Sequence, residues 1–179
     1  MAEDSITLGS LSWLPARDHP ELLAEPVRAA IADQRLTCYL AAIEPTLADT
    51  AAFCEAYQVP LVVSANCVVV AGRRAEISTM AACLVLATDR ADINKTVRRH
   101  LDLRKISFAT MADAVAQTSM EYGGITPIGL PPDWPILVDD HVAKSDWIVI
   151  GSGIRGSKVA IRGADVAALP GAEVLNITQ

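Results

Sequence analysis

Chemistry in this chain would have to come from a few short stretches. In Gly123-Gly124-Ile125-Thr126-Pro127-Ile128-Gly129-Leu130-Pro131, glycines stand beside rigid prolines. Backbone N–H and C=O groups there are uncovered by side chains yet fixed in direction, which lets a loop hold an oxyanion or an α-amino group without charged side chains. A helix C-cap followed by a structural turn fits the same residues. Gly151-Ser152-Gly153-Ile154-Arg155-Gly156 matches G-x-G-x-x-G after a strand-like run. A dinucleotide fingerprint opens a helix inside a βαβ unit, whereas Lys158 to Ile161 reads as a further strand, so a β-loop-β turn is expected instead. Asp139-Asp140-His141 closes a strand. Neighbouring side chains on a strand point to opposite faces, so Asp139 and Asp140 cannot share a proton, and Asp139 is the one expected to face a pocket.

Between Arg90 and Lys105 six basic residues stand against two acidic ones, a local +4 in a chain of net charge -6. Such a stripe can track a phosphate backbone, with Arg98, Arg99, Arg104 and Lys105 as its candidates. It can equally be a solvated helix face with an Arg98–Asp102 pair. Cys38, Cys54, Cys67 and Cys83 form no C-x-x-C pair, and His19, His100 and His141 lack a ligand at helical spacing. No metal and no cofactor are expected, and the cysteines read as buried thiols of a reducing cytoplasm.

The elements that must position these residues follow from periodicity and capping. Helices are expected over Asp18 to Gln34, with Pro26 in a first turn, and from Thr46 with Asp49 as its reciprocal acid to the break before Pro60. Others are expected over Ile93 to Leu101 behind Asp89, from Thr110 with Asp113 through Met120, and over Ala164 to Leu169. Strands are expected at Leu36–Ile43, Leu61–Val63, Cys67–Ala71, Met80–Ala87, Arg104–Phe108, Ile136–Val138, Trp147–Ile150, Lys158–Ile161 and Val174–Ile177. Gly72-Arg73-Arg74 turns one antiparallel pair. Ile125 to Pro135 holds four prolines and reads as a fixed loop. Without regular βαβ spacing, the fold class is α+β: a single domain around a mixed, mainly antiparallel and partly barrel-like sheet with surrounding helices.

The 179 residues are 51% hydrophobic and 20% charged, enough for one buried core and too apolar for disorder. No apolar run approaches the roughly 20 residues of a membrane span. The acidic start Met1-Ala2-Glu3-Asp4 lacks a secretory pattern, so a cytoplasmic protein is expected.

In their order these pieces resemble the YbaK/prolyl-tRNA-synthetase-associated domain family: Gln58-Val59-Pro60 before the strand Cys67–Val70, the G-G-I-T-P-I-G loop, Val138-Asp139, and Gly151 to Gly156 before a final strand and helix. The resemblance spans about residues 46–169, leaving 1–45 as an N-terminal extension. It implies an aminoacyl-tRNA deacylase that hydrolyses the ester of a mischarged amino acid, with tRNA and an aminoacyl-tRNA synthetase as partners. Where the family usually carries a lysine this chain has Asn66, which donates hydrogen bonds but has no charge. The resemblance implies Asn66, Gly123, Gly124 and Asp139 as catalytic. Loop N–H groups would hold the carbonyl oxygen, Asn66 would orient the ester or terminal ribose, and Asp139 would accept from the α-amino group. Ile125, Thr126, Pro127 and Gly129 would contact substrate, and Gly151, Ser152, Gly153 and Arg155 would line its adenosine end. The lost lysine leaves two other readings: a non-catalytic binder of an aminoacyl or nucleotide-like ligand or of a synthetase, and an esterase for small amino-acid esters.

Overall fold

The computed structural model describes residues 6–179. The acidic start lies outside them. Two sheets carry the fold. The first runs β1 (Leu14–Pro15), β2 (Cys38–Ala42), β8 (Ser157–Arg162), β7 (Trp147–Gly151), antiparallel throughout. The second runs β5 (Lys105–Phe108), β3 (Ala65–Arg74), β4 (Ile77–Leu86), β6 (Ile136–Asp139), β9 (Ala172–Leu175). Its β3–β4 and β3–β5 pairs are antiparallel, while β6 lies parallel to both β4 and β9. The mixed α+β architecture is the expected one, built as two open sheets that touch where Ser64 bridges to Val149.

The run Met-Ala-Ala-Cys-Leu-Val-Leu explains why β4 is central. Ala81, Cys83 and Val85 pack with Val70, Leu137 and Ile177, whereas Leu84 packs on the opposite face with Leu40, Ile148, Ile150 and Ile161. Period-2 alternation of a strand apolar on both faces leaves it no solvated side. Burying Leu84 fully stabilises the fold by about 2 kcal/mol. The first cluster lies between the sheets and is closed by Val27 and Ile31 of α1 (Glu25–Gln34) and Val166 of α6 (Gly163–Ala167). The N-terminal segment is therefore built into the fold, since β2 sits between β1 and β8.

Local signals mostly place the helices. Thr110 caps α4 (Met111–Thr118), its hydroxyl accepting from the Asp113 N–H at 3.1 Å, and Pro26 stands in the first turn of α1. Elsewhere the structure corrects the expectation. Residues 16–22 form 3-10 turns interrupted at His19, so α1 begins only at Glu25. Asp49 stands at the N-cap of α2 (Thr50–Tyr57) without a side-chain cap bond. Leu61–Val63 is a 3-10 turn and not a strand, because Pro60 leads into it and its carbonyl accepts from the Val63 N–H. Over Ile93–Val97 the chain makes a π turn that passes into α3 (Arg98–His100). Asp92, not Asp89, caps it, accepting from the N–H groups of Lys95 and Thr96 and from the Thr96 hydroxyl. The Arg98–Asp102 pair does not form: Asp102 pairs with Arg74, and Arg98 donates to the Asn94 and Arg104 carbonyls. The last strand, β9, ends at Leu175, and α5 (Asp140–Ala143) follows β6 directly.

Candidate functional site

At the junction of the two sheets lies a cavity of about 360 Å³. One wall is the start of β3, with Asn66 and Cys67, and another is Lys158 of β8 beside Gly151 of β7. Thr50 comes from α2, and Gly123 and Ile125 from the glycine-proline loop. Phe108 and Tyr122 also line it and are 68% and 54% exposed, so they form its rim.

The two glycine motifs have one shared reason. The Gly123-Gly124 segment crosses the β7–β8 turn backbone to backbone: Gly153 N–H donates to the Gly124 carbonyl at 2.7 Å and Glu121 N–H to the Gly153 carbonyl at 2.9 Å. A Cβ on Gly124 would lie 2.6 Å from the Ile154 carbonyl oxygen, so no side chain fits. Arg155 laces the crossing from outside, its N–H donating to the Glu121 carboxylate at 2.6 Å and its guanidinium to the Tyr122 carbonyl at 3.1 Å.

Asn66 is held by Thr50, whose hydroxyl donates to Oδ1 at 2.5 Å. Its Nδ2 amide takes no partner among the described residues. Lys158 is 7% exposed. Its Nζ donates to the Ala48 carbonyl at 2.8 Å and lies 5.1 Å from the centroid of the Phe53 ring. No carboxylate lies within ion-pair distance of it among the described residues, and burial lowers its pKa to about 8 despite pulls upward from Cys54 and Asp49. Burial pushes the Cys67 thiol the other way, to about 12, so it stays protonated and is no nucleophile near neutral pH.

Of the site residues read from the sequence, Asn66, Gly123, Ile125 and Gly151 meet around this cavity. Others serve the frame. Asp139 is buried away from it, its carboxylate accepting from the main-chain N–H of His141 at 3.1 Å and of Ile177 at 3.0 Å, because it caps α5 and ties down the C-terminal segment. Gly124 donates its N–H to the Glu121 carbonyl. Gly129, at φ +84°, is pressed against the Pro26 backbone of α1, and Thr126 is buried short of the cavity, as is the turn through Pro127. Ser152 is fully buried and bonds within its own turn, and Gly153 packs on Ala24. Arg155 stands behind Gly123. Lys158 and Thr50 were missed. For Lys158 the signal was a lysine leading directly into the apolar run Val159-Ala160-Ile161 of a strand that the structure buries.

Asp89, Asp139 and His141 bring ligand atoms within 4.8 Å of one another. The Asp139 cap and a 3.0 Å His141–Asp89 ion pair account for the arrangement.

Fold and cavity together define an α+β domain whose small site, between two sheets, is walled by main chain, the uncharged side chains of Thr50 and Asn66, the Asp49 carboxylate and one buried ammonium. The chain belongs to the aminoacyl-tRNA editing domain family, whose profile matches residues 44–169. Solved structures share the fold. One described as a proposed trans-editing enzyme for prolyl tRNA synthetase superposes with a TM-score of 0.73 at 18% identity, covering 87% of this chain and 96% of that one. The hypothetical protein APE2540 superposes at 0.76 with 20% identity, covering 87% and 100%. A proposed signal transduction protein from Marinobacter aquaeolei VT8 gives 0.55 at 15% identity, covering 86% of this chain and 30% of that one.

Proposed function

We propose that this protein is an aminoacyl-tRNA deacylase acting in trans, hydrolysing the ester between a mischarged amino acid and its tRNA. The observation that supports this most is the convergence of residue 66, the Gly123–Ile125 segment and Gly151, three distant stretches, on one cavity of amino-acid size in a chain of the editing-domain family. An aminoacyl ester is already activated, so hydrolysis needs mainly a positioned water and donors for the oxygen that becomes negative. In this reading the acyl group enters between β3 and β8, and the Asn66 amide donates to the ester. The terminal base stays at the rim, where Tyr122 and Phe108 offer stacking surfaces. The tRNA backbone runs towards Arg99, Arg104 and Lys105, with Arg98 partly engaged by main-chain carbonyls. A synthetase is the natural second partner and the cytoplasm the compartment. Among the described residues, no helix is long and apolar enough to cross a membrane.

The uncharged Asn66 favours a second reading, a binder of aminoacyl or nucleotide-like ligands without turnover. Incubation with a panel of mischarged tRNAs decides: the deacylase releases amino acid from at least one of them, whereas a binder retards tRNA mobility and releases none.

A further inference from the structure

Lys158 is the one basic side chain among the described residues lining the cavity, and Asp49, which lines it too, favours the charged ammonium without forming an ion pair with it. Of its three ammonium protons, one goes to the neutral Ala48 carbonyl; no other acceptor is recorded among the described residues. A buried charge without an ionic partner is costly. Its backbone is held on both sides, because Lys158 lies in an inner strand of the first sheet, opposite Ala41 of β2 on one side and Gly151 of β7 on the other. A fixed, partly desolvated ammonium at the wall of a small cavity is what a developing negative charge needs, since it is already oriented when the charge forms. A side chain 7% exposed suits a group that enters the cavity, and not the solvated phosphates outside it.

We propose that Lys158 is a catalytic group of this site, its ammonium binding the carbonyl oxygen of the aminoacyl ester as that oxygen turns anionic. The inference rests on the deacylase reading above. Water adds to the carbonyl carbon and the π electrons move to the oxygen, which the Nζ protons hold. The tetrahedral intermediate then expels the ribose oxygen, which takes a proton that came in with the water. The amino acid leaves as a carboxylate, and the remaining proton passes to solvent. Asn66, facing the same space without charge, orients the ester, and β8 supplies the cation that residue 66 lacks.

The experiment compares wild type with Lys158→Met and Lys158→Arg by three readouts. Single-turnover deacylation of whichever mischarged tRNA the wild type hydrolyses falls about 100-fold in Lys158→Met while tRNA affinity is unchanged, the loss typical of one oxyanion donor. A tetrahedral anionic phosphonate analogue of aminoacyl-adenosine binds wild type roughly 10-fold or more tightly than Lys158→Met, whereas a neutral amide-linked analogue binds both alike. Relative to Lys158→Arg, wild-type kcat/KM falls as pH rises through about 8, because only the protonated amine carries the positive charge that holds the oxyanion. Wild-type inactivity across the panel overturns the deacylase reading and this step with it. An active wild type with an equally active Lys158→Met, or equal phosphonate affinity in both, overturns the role of Lys158 alone. A rate ratio that rises through pH 8 overturns oxyanion binding and identifies Lys158 as a base. Circular dichroism and the amide analogue show that Lys158→Met is folded; if it is not, the phosphonate comparison with Lys158→Arg, which keeps the charge, reads wild-type-like binding or overturns the proposal.

Discussion

Gly151 and Gly124 meet main chain to main chain, with the position of a Gly151 Cβ only 2.5 Å from the Gly124 carbonyl oxygen. That closeness brings the end of β7 and the glycine-proline loop to one cavity, so the site is a by-product of two backbones that touch where side chains are missing.

Gly151→Ala therefore forces the two segments apart. The expected cost is about 2 kcal/mol or more, with loss of ligand binding beyond the loss of stability. Gly156→Ala is the control, since its added Cβ would meet nothing closer than 3.9 Å. Urea unfolding of both variants checks the contrast; equal stability would show that the loops yield.

Lys158 shapes the pH dependence of stability. Its folded pKa, about 8, lies below its ordinary value of 10.5, so between those values the unfolded chain binds the extra proton. Its burial thus costs about 3 kcal/mol at neutral pH, and the cost fades as pH climbs from 8 to 10.5. Lys158→Met is expected to be more stable than wild type at pH 7 by about 1–3 kcal/mol, less the Ala48 hydrogen bond, and to lose that lead near pH 10. Paired denaturation curves at the two pH values test this.

Replacing Tyr122 and Phe108 together with alanine removes the rim's stacking surfaces. Affinity for aminoacyl-tRNA is expected to fall about 10-fold or more, while cleavage of a small amino-acid ester in the cavity is unchanged. Equal losses on both substrates would place the rings in the acyl site instead.

His141 titrates above its ordinary value, first because of the hydrogen bond to Asp89 and then because of the nearby Asp139 charge. A raised pKa means that the protonated pair adds stability below the ordinary value and loses it as pH rises through the folded one. An NMR titration should find this midpoint raised, and Asp89→Asn should bring it down.

Several features needed no coordinates. The Thr110–Asp113 cap, the Pro26 start of α1 and the proline-rich loop depend on residues within a few positions of one another, and local dihedral preference settles those; the turn expected at Gly72 to Arg74 falls instead at Ala75-Glu76, because Gly72, Arg73 and Arg74 pair across the hairpin with Thr79, Ser78 and Ile77. The ordered motifs also mark the region that carries the family match, residues 44–169.

Which residues share a wall is another matter. Asp139 reads as a pocket carboxylate until Ile177, 38 positions on, arrives to take its oxygen. Gly129 reads as a substrate contact until α1 closes on it. Lys158 reads as one more strand residue until β2, from the other end of the chain, pairs with β8 and Ala48, 110 positions away in sequence, comes to hold its Nζ. A strand's period says that a side chain points to one face or the other; what stands opposite depends on long-range sheet pairing, and the charge of this cavity was decided there.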